Sequence, residues 1–210
     1  MKFYHRKVIL EISDSVYEPQ EDSLLLAEIL ERYKLAGKKC LDMGCGSGLL
    51  AILMAKKGAK VIACDVNPEA IKITASNAKA NNVKIKTIKS DLFSALNDSY
   101  DFIIFNPPYL PAENLEGQSS SRFRRTKFSE DTHQHKEQWS GGKTGRDIIE
   151  KFLQELPKHF NKNGKSLMVF SSLTGEKEVR KLCEKNDIFF RILKREKIPW
   201  EKLILAELSK

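Results

Sequence analysis

What this 210-residue chain lacks narrows its class first. No apolar run approaches the roughly 20 residues that span a bilayer, so no membrane segment is expected. Lys2, His5, Arg6 and Lys7 interrupt the opening stretch; a signal peptide is therefore not expected, and a cytoplasmic protein is. The cysteines Cys40, Cys45, Cys64 and Cys183 have no paired C-x-x-C spacing, which points to reduced structural thiols rather than a zinc site. His133 and His135 stand without a cysteine or carboxylate cluster at ligand spacing, so no metal centre is expected. Internal repeats and a second domain are also missing, and one domain over residues 1–210 is expected. Acid is in deficit: 28 Asp and Glu against 36 Lys and Arg leave a net charge of +8. That balance suits an acidic or nucleic-acid partner, although lysine-rich solvated helices produce the same sum.

What is present alternates between two periods. Residues 17–33 carry Glu21 and Asp22 ahead of apolar residues at helical spacing, the pattern of a helix with its first turn matched to the dipole. Lys39 to Met43 then reads as a strand, Gly44 to Gly48 as a glycine turn and Leu49 to Lys57 as an apolar helix. Lys60 to Cys64 is a second strand, followed by a helix opened by Asn67-Pro68; Val83 to Ile88 is a third, and Phe102 to Phe105 a fourth. After a polar stretch at 110–139, read as a mobile insertion, come a helix over Arg146 to Phe160 and a strand at Ser166 to Phe170. A charged helix and two strands, Ile188 to Leu193 and Leu203 to Leu208, finish the chain, while Phe3 to Ile12 reads as a short strand or hairpin. The expected fold is α/β: a Rossmann-like, mostly parallel seven-stranded sheet with helices on both faces and an antiparallel C-terminal strand.

Ligands of such a sheet bind beyond the carboxyl ends of its strands, where the strand order reverses. Four polar groups stand at four successive strand ends: Asp42 with its turn, Asp65, Asp91 and Asn106. The turn Gly44-x-Gly46-x-Gly48 lacks the G-x-G-x-x-G spacing that seats a pyrophosphate, and an acid at Asp42 would repel one. Asp42 suits a cationic amino group, directly or through water. Asp65 suits two ribose hydroxyls, and Asp91 an exocyclic amine whose ring packs on Val66 and Leu92. S-adenosylmethionine combines these three features. Beside it, Asn106-Pro107-Pro108-Tyr109 ends the fourth strand, since proline cannot donate to a ladder. An amide side chain, free carbonyls on a stiff turn and an aromatic ring make a clamp for a flat group bearing NH2.

Asp42-Met-Gly-Cys-Gly-Ser-Gly48 together with Asn106-Pro-Pro-Tyr109 resembles the class I methyltransferases that modify an NH2 group. Tyr17-Glu-Pro-Gln-Glu-Asp-Ser23 and Trp139-Ser-Gly-Gly-Lys-Thr-Gly-Arg-Asp147 resemble the HemK-type N5-glutamine methyltransferases, in their short archaeal and eukaryotic branch. Ser23 stands where that branch usually has Thr and keeps the hydroxyl implied in cofactor binding; Asp42 stands where some members have Glu. The resemblance implies, as substrate, the glutamine of the Gly-Gly-Gln loop of a class 1 translation release factor. It also implies a heterodimer partner, a small zinc-binding activator, for which the edge near Ile85 to Ile88 is the expected seat.

In the expected mechanism the Asn106 side-chain oxygen and the Pro107 carbonyl accept the two N–H groups of the acceptor, while Tyr109 stacks on its plane. The same clamp fits a flipped base, so an N6-adenine or N2-guanine nucleic-acid methyltransferase is the main alternative, favoured by the basic cluster between Arg122 and Lys127. A non-catalytic assembly subunit is the other; an intact Asn106-Pro-Pro-Tyr109 speaks against it.

Overall fold

The computed structural model describes residues 1–109, 145–199 and 201–210. The 110–139 insertion, the Arg122 to Lys127 cluster, His133, His135 and most of the Trp139 motif therefore lie outside the described residues.

Buried apolar runs became the central strands. β3 (Lys39–Met43), β4 (Lys60–Asp65), β5 (Ile85–Lys89), β6 (Tyr100–Phe105) and β7 (Phe160–Ser171) run parallel; β9 (Glu201–Ser209) lies antiparallel between β7 and β8 (Phe189–Ile198). The sheet order is β5-β4-β3-β6-β7-β9-β8, the expected seven-stranded sheet with its antiparallel last strand. Leu41, Ile103, Ile104, Leu167 and Val169 on its inner strands are fully buried, as parallel strands covered on both faces require. The helices α1 (Glu21–Leu30), α2 (Leu49–Lys56) and α3 (Pro68–Ala80) form one packed group, and α4 (Asp147–Glu155) with α5 (Glu176–Lys185) another. All four cysteines are free and buried, and burial raises each thiol's pKa. No described helix is long and apolar enough to cross a membrane.

Three boundaries differ from the sequence expectation by five residues or more. α4 stops at Glu155, because Pro157 lacks the N–H needed to continue it and a 3-10 turn, Leu156–His159, follows. β7 begins six residues earlier than its apolar run, since Phe160 pairs with Tyr100 across a register shift before Lys165 joins Phe102. β8 extends to Ile198 because its polar outer residues still find ladder partners on β9.

The N-terminal segment is a hairpin, β1 (Lys2–His5) paired with β2 (Val8–Glu11), separate from the main sheet. Two asparagines on α3 hold it. Asn81 accepts the Ile9 N–H at 3.1 Å and donates to the Ile9 carbonyl at 2.7 Å; one turn earlier, Asn77 does the same for Glu11 at 2.8 and 2.9 Å. Spaced i, i+4 on one helix face, two carboxamides thus imitate a neighbouring strand at alternate residues of β2. Asn77 also donates to the Ser47 carbonyl at 2.9 Å, which joins the hairpin to the glycine turn. Asn77→Ala strands these buried backbone groups and is expected to lower the unfolding free energy by about 1–3 kcal/mol in chemical denaturation. Asn77→Asp should not restore it, because a carboxylate cannot donate to the Glu11 and Ser47 carbonyls.

Candidate active site

The order reverses between β3 and β6: from β3 the chain steps outward to β4 and β5, then returns to β6 on the other side. The carboxyl ends of these strands bring the glycine turn, Asp65, the residues after β5 and Asn106 to one edge of the sheet, as the sequence pattern anticipated.

The turn after β3 is shaped from outside. Gly44, Gly46 and Gly48 all have positive φ. At Gly48, with φ of 86°, an added Cβ would stand 2.9 Å from Thr74 Oγ1, so neither conformation nor space admits a side chain. The Thr74 hydroxyl donates to the Gly46 carbonyl at 3.0 Å, and the Gly46 N–H donates to Asp65 Oδ2 at 2.9 Å. α2 has no side-chain cap at Gly48. Asp42 supplies one instead, accepting the Ala51 N–H at 2.8 Å, and a carboxylate at this end of a helix also complements its dipole. Asp42 is only 1% exposed, beneath the turn rather than open on the crevice. Burial, reinforced by Asp65, pushes its pKa to about 8 against the pull of the Ala51 hydrogen bond.

Asp65 is half-buried; its Oδ1 accepts the Asn67 N–H at 2.9 Å, and burial raises its pKa against the hydrogen bonds from Asn67, Gly46 and Val66. Val66 beside it is 46% exposed, unusual for a valine on a well-packed domain. After β5, Asp91 is exposed and Leu92 holds a left-handed φ of 45°. Ser90 secures that bend: its hydroxyl donates to the Leu92 carbonyl at 2.8 Å and accepts the Ala95 N–H at 3.0 Å, while its own N–H reaches the Asp65 carbonyl at 2.9 Å.

Asn106 follows β6, with Phe105 and Phe152 packed 4.5 Å apart behind it. Its Nδ2 donates to Ser23 Oγ at 3.2 Å; its Oδ1 is buried and has no partner among the described residues. Pro107 is buried and Pro108 half-buried. Tyr109 is buried rather than freestanding: its hydroxyl donates to Asp22 Oδ2 at 2.9 Å, and its carbonyl accepts the Thr174 hydroxyl at 3.0 Å. Arg146 in turn donates to the Thr174 carbonyl at 2.6 Å.

Asp22, Thr74, Asn77, Ser90 and Thr174 were missed in the sequence reading. Each is a small polar residue in a helix, a turn or a loop; only Asp22, inside the Tyr17 to Ser23 motif, had a signal that pointed towards the site.

An acceptor-lined crevice beside a G-x-G-x-G turn, at the switch point of a seven-stranded sheet with an antiparallel last strand, defines a class I S-adenosylmethionine-dependent methyltransferase. The family model for the methyltransferase small domain matches residues 16–125. The chain is 41% identical over 197 residues to a protein named as an N5-glutamine methyltransferase in Methanocaldococcus jannaschii, covering 93% of this chain and 92% of that one. It is 30% identical over 191 residues to the human methyltransferase HEMK2, covering 86% of this chain and 83% of the other. Among solved structures, that of the E. cuniculi Mtq2-Trm112 complex, responsible for methylation of the translation termination factor eRF1, superposes with a TM-score of 0.70 at 26% identity, over 93% of this chain and 99% of that one. The chain belongs to the HemK-type protein N5-glutamine methyltransferases, in their short archaeal and eukaryotic branch. It is an enzyme, a methyltransferase whose methyl donor is S-adenosylmethionine.

The raised Asp42 pKa has a measurable consequence. Because the folded value exceeds the unfolded one, this group's stabilising contribution is complete below the ordinary carboxylate range and is lost as pH rises through about 8. Asp42→Asn keeps an acceptor for the Ala51 N–H and cannot ionise. Between about pH 5 and about pH 9 it should lose less stability than wild type, measured by chemical denaturation at each pH.

Proposed function

We propose that this enzyme, a cytoplasmic protein of one methyltransferase domain, methylates the glutamine of the Gly-Gly-Gln loop of a class 1 translation release factor. The observation that carries the reading is Asn106 Oδ1, a buried acceptor just past the end of β6 with no partner among the described residues. Such an atom costs free energy in the free enzyme and suits an incoming N–H.

The residues around the turn fit S-adenosylmethionine, which when bound supplies an electrophilic sulfonium methyl. Gly44, Gly46 and Gly48 keep the turn free of side chains so that a ligand lies against backbone. Asp65 takes the ribose hydroxyls; Asp91 takes the adenine amine, with Val66 and Leu92 against the ring. Asp42, sunk under the turn, shapes the cradle and acts on the amino end through water. Ser23 lines the same edge.

A glutamine amide nitrogen is a poor nucleophile because its lone pair is delocalised into the carbonyl. Asn106 Oδ1 and the Pro107 carbonyl accept its two N–H groups and stabilise positive charge growing on nitrogen, where one such group is worth about 2.7–4 kcal/mol. Pro107 and Pro108 stiffen the turn, and Tyr109 forms the wall that keeps the amide plane in line. Positioning of this kind contributes roughly 7–11 kcal/mol, so no strong base is needed and the proton departs afterwards.

β5 is an edge of the sheet, as the choice of docking strand requires. Its half-buried Ile85 and Ile88 alternate with exposed lysines, Lys86 and Lys89, which guard a free edge against adventitious pairing. A small zinc-binding activator that extends the sheet there would cover those isoleucines and is the heterodimer partner in this reading.

Incubation with labelled S-adenosylmethionine and either release factor or nucleic acid, with and without the activator, should label only the release factor; label in nucleic acid would favour the base-modifying alternative. Asn106→Ala should abolish transfer while donor binding persists in calorimetry. Asp65→Ala should instead weaken donor affinity by a factor of about ten or more, the loss of one or more charge-assisted bonds.

A further inference from the structure

We infer that Ser23, held by Asp22, is a positioning residue that sets which way the Asn106 amide faces. This rests on the clamp described under the proposed function and adds to it the device that orients it. An asparagine side chain has two ends of opposite polarity and nearly equal shape. Only one orientation serves an acceptor NH2: with Nδ2 towards the crevice, donor would meet donor.

The geometry selects the productive orientation through a short relay. Asp22 is 3% exposed and is an acceptor surrounded by donors. Its Oδ1 takes the Ser23 N–H at 2.6 Å and the Ser23 hydroxyl at 3.3 Å, its Oδ2 takes Tyr109 at 2.9 Å, and the Tyr17 hydroxyl lies 3.1 and 3.0 Å from the two oxygens. With its proton directed to Asp22, the Ser23 oxygen offers lone pairs to its other neighbour, Asn106 Nδ2, 3.2 Å away. Reversing the amide would set Oδ1 against those lone pairs, so Oδ1 is left for the acceptor. The same carboxylate holds Tyr109, and both ends of Asn106-Pro-Pro-Tyr109 are thereby referred to one residue of α1. Ser23 is itself buried, its hydroxyl engaged by Asp22 and Asn106. Besides lining the donor's edge, its hydroxyl thereby acts on the acceptor side of the reaction.

The test compares Ser23→Ala, Ser23→Thr and Asp22→Asn with wild type in three measurements. These are methyl transfer to a class 1 release factor, S-adenosylmethionine affinity by calorimetry, and the Asn106 side-chain NH2 signals of a 15N-labelled sample, assigned by their loss in Asn106→Ala. Ser23→Ala should lower kcat at saturating donor about tenfold, the equivalent of one hydrogen bond in the transition state, over and above any change in donor affinity. The hydrogen-bonded NH2 proton should lose its downfield shift, and Ser23→Thr should restore both rate and spectrum. Asp22→Asn places a donor among donors and should lower kcat with Ser23 still present. A Ser23→Ala enzyme with wild-type kcat, or with an unaltered Asn106 NH2 spectrum, overturns the inference; so does a loss confined to donor affinity. If Asn106→Ala is inactive while Ser23→Ala is fully active, this inference fails alone. Full turnover by Asn106→Ala would remove the clamp and the relay together.

Discussion

A turn of five residues containing three glycines has only the side chains of Cys45 and Ser47 with which to hold its own shape, and the site depends on that shape being imposed from outside. Four residues from three elements do so. Asp42 at the end of β3 caps α2, Asp65 at the end of β4 takes the Gly46 N–H, the Thr74 hydroxyl of α3 donates to the Gly46 carbonyl, and Asn77, one turn along the same helix, donates to the Ser47 carbonyl. Each of these elements is fixed by the sheet or its crossovers, so the turn inherits the precision of the sheet. Asn77 also carries β2, which ties the N-terminal hairpin to the turn through a single side chain.

The same arrangement explains why a glycine turn, so often an anion site, serves a cationic donor here. An anion site needs backbone N–H groups that are free to point at the ligand. Here the Gly46 N–H is already given to Asp65, and the Ala51 N–H of α2 to Asp42. At the crevice stand acceptors: the Asp65 carboxylate, the exposed Asp91 and Oδ1 of Asn106, which has no partner among the described residues. A chain of net charge +8 thus gathers acceptors at this crevice, where the proposed function seats a sulfonium and a developing ammonium.

The strand ends were legible in the sequence because parallel strands are buried on both faces and read as short apolar runs that stop at a polar residue. That places Asp65, Asp91 and Asn106 at one edge without any coordinates. The supports were not legible for the opposite reason. In Ile73-Thr-Ala-Ser-Asn-Ala-Lys-Ala-Asn81, nothing separates Asn77 and Asn81, which hold a strand, from polar residues on a solvated face; their role exists only once β2 lies beside α3. Asp22 reads from the sequence as an acid in the first turn of a helix, and it is one, but burial beside two tyrosine hydroxyls changes its role from dipole complement to hub. Boundaries slipped where polar residues continue a ladder, at Phe160 to Lys165 and beyond Leu193, since period and polarity are blind to a pairing made at the edge of the core.

β6 carries two buried polar atoms without partners, the hydroxyl of Tyr100 at its start and Oδ1 of Asn106 just past its end. Each costs the fold about 1–3 kcal/mol, a real fraction of the 5–15 kcal/mol by which domains are stable. The two differ in what they face. Tyr100 lies at the amino end, away from the crevice, where its aromatic ring is fully buried in the core and its unmet hydroxyl is the lesser part of its energetics. Asn106 lies at the switch point, with its amino group already given to Ser23 and its Oδ1 without a partner among the described residues, so in the proposed function its deficit is made good by the N–H of the incoming amide. A hydrogen bond withheld in the free enzyme and made to nitrogen strengthens as that nitrogen becomes positive, so its full value appears in the transition state rather than in the resting protein.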